Sequence, residues 1–127
     1  MARVLALTRD LLFGSRVQGA LVAAGHEVEL VDGEPQLQAR LRDGADRSVG
    51  PVRALVVDLT DPELDGAAIV QALCATGALG SLRTLAFYSH VDAAARERAE
   101  GAGFDLVVAR SRMAREGPAL VARLLDH

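Results

Sequence analysis

The chain has 127 residues, 50% of them hydrophobic, a formal net charge of −3 at pH 7, and few aromatics: three Phe, one Tyr and no Trp. That length and apolar content fit one domain over residues 1–127 with a real core, and exclude a solvated disordered chain. The acidic balance and scarce stacking side chains speak against a nucleic-acid binder. The sequence contains no Lys, which excludes Schiff-base and P-loop lysine chemistry. Cys74 stands alone, so neither a disulfide framework nor a thiolate metal cluster is available. The apolar runs fall short of the roughly 18 residues a membrane span needs. "MARVLALTRD" lacks the apolar stretch and cleavage site of a signal peptide, and a reducing cytoplasm fits best.

In chain order, Arg3–Thr8 reads as a buried strand. A helix follows with Phe13, Val17, Ala20, Leu21 and Ala24 on one face and Gly25 as its stop. Glu27–Val31 is a second strand, and Pro35–Gly44 a short helix with Pro in its first turn. "RSVGPVR" is a loop. Ala54–Leu59 is the most apolar strand, hence central. Asp65 caps a helix running to about Thr76, before Gly77. Thr84–Ser89 is strand four, Asp92–Gly103 a helix capped by Asp92, and Asp105–Ala109 strand five. A final helix starts at Pro118. Cys74, mid-helix among apolar residues, reads as core filler.

Five strands alternating with five helices require right-handed crossovers and a parallel sheet covered on both faces. The expected fold is a flavodoxin-like three-layer α/β sandwich with strand order 2-1-3-4-5. Ligands of such folds bind beyond the carboxyl ends of the strands. Those ends carry Thr8, Arg9 and Asp10 (strand one), Asp58 (three), Ser89 and His90 (four), and Arg110 (five). Gly14 and Gly19 have P-loop spacing, but Ala20 and Leu21 stand where Lys and Ser/Thr are required. No Gly-x-Gly-x-x-Gly follows strand one, and the three histidines show no metal spacing.

With that strand-end set, the sequence resembles the receiver domain of bacterial response regulators over essentially its full length. "DLTDPELDG" looks like the segment carrying the phospho-accepting aspartate, here Asp58, with Pro62 and Asp65–Gly66 in place. Ser89 falls at the family's Thr/Ser position and Arg110 at its Lys position. The resemblance implies a signalling module rather than an enzyme. In receivers an acid pair ending strand one joins the phospho-acceptor in binding Mg²⁺, a hard cation that wants oxygen ligands.

The acid pair is missing here. Thr8–Arg9 lie over the two acids and Asp10 one place late, so Asp10 and Asp58 are weak metal candidates. Ser111 replaces the usual Pro, His90 a very small residue, and Val107–Val108 the aromatic switch. Each residue also has a plainer reading: Asp10 as a helix N-cap, Ser89 as a backbone-bonding cap, Arg110, Arg112 and Arg115 as a solvated face.

Three functional readings follow. One is a stand-alone atypical receiver acting as a protein-interaction module, without an output domain or bound cofactor. The second is a working Mg²⁺-dependent phospho-receiver at Asp58. The third is a small-anion binder using Arg9, Arg110 and Ser89. The resemblance implies that a protein partner or second copy docks on the face of helix four, strand five and helix five; composition and run length argue against nucleic acid and membrane. Asp58 is expected to hydrogen-bond Arg110, Arg9 or both, since guanidinium offers bidentate geometry to a half-buried carboxylate.

Overall fold

The computed structural model describes residues 2–43, 51–89 and 92–126. Its strands are β1 (Arg3–Leu7), β2 (Glu27–Val31), β3 (Val52–Asp58), β4 (Arg83–Tyr88) and β5 (Leu106–Ala109). Its helices are α1 (Leu11–Ala23), α2 (Glu34–Asp43), α3 (Gly66–Thr76), α4 (Ala93–Ala102) and α5 (Arg110–Leu125). The five strands form one parallel sheet in the order β2-β1-β3-β4-β5. The expected α/β architecture holds. Most of "RSVGPVR", and His90 with it, lie outside the described residues.

Alternation of side chains along each strand splits the core in two. Val4, Ala6, Ala54, Val56, Leu85 and Phe87 face α1 and α5. Leu5, Leu7, Leu55 and Val57 face the opposite layer, against Leu37 of α2 and Ile69, Val70 and Leu73 of α3. Burying each such large side chain stabilises by about 1.5–3 kcal/mol. The central strands are therefore apolar on both faces, which forces helices onto each.

The expected caps are present: Asp10, Asp65 and Asp92 accept from the third residue beyond, at the starts of α1, α3 and α4. Gly66 has a separate necessity. A Cβ there would run into the Val57 side chain and come within 3.2 Å of Leu59 Cδ2, so only glycine lets α3 start this close to β3.

Three expectations need correcting. Helix α5 starts at Arg110, not Pro118, and bends at Glu116 (φ −124°, ψ 16°). The sequence signal was there: Met113, Gly117, Leu120, Val121 and Leu124 are buried at helical spacing, and Pro118 marks the bend, where its missing N–H interrupts the ladder. Cys74 is exposed. It follows Leu73 by one position, which turns it off the buried stripe Ile69–Val70–Leu73. Ala20 and Ala24 are exposed as well, and α1 seats itself on Phe13, Gly14, Val17 and Leu21.

Candidate functional site

The site lies at the carboxyl ends of β1 and β3. Thr8 extends the β1 ladder by one residue, its N–H donating to the Val31 carbonyl at 3.0 Å. Leu7 lies opposite Val57, so the next positions, Thr8 and Asp58, stand side by side on the sheet. Asp58 is 1% exposed and Thr8 5%. The Thr8 hydroxyl donates to Asp58 Oδ2 at 2.8 Å. Thr60 occupies the other oxygen twice, its N–H donating to Oδ1 at 2.7 Å and its hydroxyl at 2.6 Å. A buried carboxylate is costly unless hydrogen-bonded, and three short bonds meet that requirement.

The same threonine organises the start of α1. Its Oγ1 accepts from the Asp10 N–H at 3.1 Å, and Asp10 Oδ1 in turn accepts from Phe13 N at 3.0 Å. Gly14 lets the helix sit this close, because a Cβ there would come within 2.9 Å of Thr8 Cγ2.

The expected arginine bonds to Asp58 are not formed. Among the described residues its donors are the two threonines. Arg9 pairs instead with Asp61 (3.8 Å) and Glu63 (3.6 Å). The cause is parity: successive side chains on extended backbone point to opposite faces, so placing Thr8 beside Asp58 sends Arg9 the other way. Arg110 reaches across to α1. It donates to Asp10 Oδ2 at 3.1 Å and its guanidinium lies 4.2 Å from the centre of the Phe13 ring. Asp10 is thus the N-cap of α1 and the anchor of α5 at once.

This donor set does not fit Mg²⁺. Both Asp58 oxygens already hold short hydrogen bonds, and Asp10 is spent on a helix N–H and a guanidinium. An ion that binds through carboxylates and dehydrates reluctantly finds one buried, already hydrogen-bonded carboxylate at Asp58 and a second, at Asp10, engaged by a guanidinium. Among the described residues no group of three or more His, Cys, Asp or Glu is placed to hold a metal.

Ser89 and Arg110 do share a space. Together with Phe13, Arg16, Thr60, Ser111 and Ala114 they line a cavity of about 570 Å³. Arg9 lies elsewhere, in a cavity with Asp32, Glu34, Glu63 and Asp65. Sequence reasoning missed the roles of Thr8, Thr60 and Arg16. Strand parity could have found Thr8. Arg16, three residues after Phe13, sits one helical turn along and so on a neighbouring face of α1.

Comparison with solved structures places this geometry. No family model and no curated protein matches the chain. A response regulator from Chloroflexus aurantiacus superposes with a TM-score of 0.84 at 18% identity, covering 99% of this chain and 98% of that one. The fold is that of a response-regulator receiver domain. A response regulator from Thermotoga maritima superposes at 0.80 with 13% identity, covering 100% and 99%. The chemotaxis response regulator CheY4 of Vibrio cholerae does so at 0.79 with 18% identity, covering 98% and 99%. In this receiver fold no helix among the described residues is long and apolar enough to cross a membrane.

Proposed function

We propose that this receiver-fold chain is a protein-interaction module whose aspartate site does not take up a phosphoryl group. The occupation of both Asp58 oxygens by Thr8 and Thr60 carries the reading. Phosphoryl transfer rests on positioning and on cations that offset the developing charge. Thr8 supplies a hydroxyl where a metal-binding acid is needed, and the charge of Arg110 is partly offset by Asp10. Asp58 then serves structure, tying the ends of β1 and β3 to the Thr60 turn.

Partner or homodimer contact is assigned to the face of α4, β5 and α5. Its exposed charges are ordered by pairing: Arg96 with Glu100 at 3.1 Å and Arg112 with Glu116 at 3.3 Å. Arg98 reaches Asp65 at the N-terminus of α3, at 2.6 Å. Such a mixed-charge surface confers specificity more than affinity.

The test is incubation with acetyl phosphate and Mg²⁺, read by intact mass. We expect no phosphoryl gain, and no Mg²⁺-dependent spectral change with beryllofluoride. A mass gain that disappears in Asp58→Asn would identify a working Mg²⁺-dependent receiver instead. Cross-linking that maps wholly to α1 and α2 would move the docking face.

A further inference from the structure

We infer that the cavity between α1 and α5 is a non-covalent binding site for a small phosphorylated metabolite with a hydroxyl-bearing body. This goes beyond the interaction reading and uses no bond to Asp58.

Two arginines line the cavity, Arg16 on α1 and Arg110 on α5. Among the described residues Arg16 has no ion pair and no hydrogen-bond partner, unlike Arg9 on the other side of β1. Arg110 is held in place from two directions, by Asp10 and by the Phe13 ring, so part of its ordering cost is met before any ligand arrives. One Nη is directed at Asp10, which leaves the rest of its five-donor fork for another acceptor. The partial charge offset from Asp10 lowers the attraction of Arg110, and the unpaired Arg16 supplies the greater share.

Hydroxyls complete the lining. Ser89 and Ser111 have no side-chain hydrogen bond among the described residues, while Thr60 donates its proton to Asp58 and keeps lone pairs to accept with. Planar guanidinium forks and hydroxyl donors together suit the several acceptor oxygens of a phosphate. The volume of about 570 Å³ lies within the range of small-molecule pockets and far exceeds one tetrahedral ion, so the space has room for an organic body beside the anion. With Phe13 covered by Arg110, the body meets three hydroxyls and one small Ala114 methyl, which favours a polyol over an aromatic ring.

Calorimetric titration of the full chain with ribose 5-phosphate, ribose and inorganic phosphate tests this. Ribose 5-phosphate should bind, ribose should not, and inorganic phosphate should bind more weakly than the sugar phosphate. Arg16→Ala should weaken binding about tenfold or more, the loss expected of a charge-assisted hydrogen bond. Arg16 is exposed and unpaired, so that variant keeps its fold. Arg9→Ala removes the same charge across β1 and should leave binding unchanged. The inference fails if none of the three probes binds. It fails equally if Arg9→Ala weakens binding as much as Arg16→Ala, which would mean diffuse attraction, or if inorganic phosphate matches the sugar phosphate.

Discussion

Arg9 and Arg16 sit on opposite sides of the same strand end and have opposite fates. Arg9 is paired with its own protein's acids, Asp61 and Glu63, beside a cavity that Asp32, Glu34 and Asp65 also line. Arg16 shares its cavity with hydroxyl-bearing residues and a second arginine, with no acidic partner among the described residues. Between them Asp58 is shut in by threonines. What a guanidinium does is therefore decided by which face of β1 it reaches. A cation near an aspartate in sequence is no substitute for one beside it in space.

The strongest way to break this contrast is to change the centre. Thr8→Asp would place a second carboxylate against a buried one, and should lower unfolding free energy by about 3 kcal/mol or more. Part of that loss should return with millimolar Mg²⁺, which two adjacent carboxylates begin to attract. Denaturant melts with and without Mg²⁺ check both halves, and a variant as stable as its parent in metal-free buffer would refute the packing described. Removing the acceptor comes next. Asp58→Ala leaves the buried Thr8 hydroxyl without its acceptor and should cost about 2–3 kcal/mol. Asp58→Asn keeps the Oδ1 acceptor for both Thr60 bonds and turns an NH2 toward the Thr8 hydroxyl, so it should cost less than Ala, about 1–2 kcal/mol, and the order of the two variants in urea is itself diagnostic.

Smaller effects sharpen the edges of the comparison. Arg110→Ala loses a half-exposed ion pair and the contact with Phe13, together about 1 kcal/mol. Arg9→Ala and Arg16→Ala should each change stability by less than about 0.5 kcal/mol, the one because its pairs are exposed, the other because it has none. Thermal melts at low and high salt separate these two. Raised salt should shrink what little Arg9 contributes and leave Arg16 at zero.

The sheet was legible in the sequence because each strand is a short apolar run and nothing between the runs signals a hairpin. The site was legible as a set of strand ends, but not as a set of bonds. Asp58 was expected to find Arg9 or Arg110, since chemistry favours guanidinium for a lone carboxylate. Geometry favoured Thr8, because register puts it alongside and pleating turns Arg9 away. Arg110 was drawn off by Asp10 and Phe13, and that contact depends on α1 and α5 packing side by side, which no local pattern announces. The early start of α5 was obscured by Gly117–Pro118, a turn-like pair that in the folded chain marks a bend.

Thr8 and Gly14 are bound into one unit of inheritance. A side chain at 14 needs the space of the Thr8 methyl, and that β-branched methyl cannot rotate aside without lifting its hydroxyl from Asp58. Gly14→Ala is therefore damaging in this background. With Thr8→Ser, where the hydroxyl stays and the methyl goes, it becomes tolerable. Alanine at 14 is then open to descendants of this chain only after position 8 has changed, so the order of two mutations, and not their sum, decides which sequences can be reached.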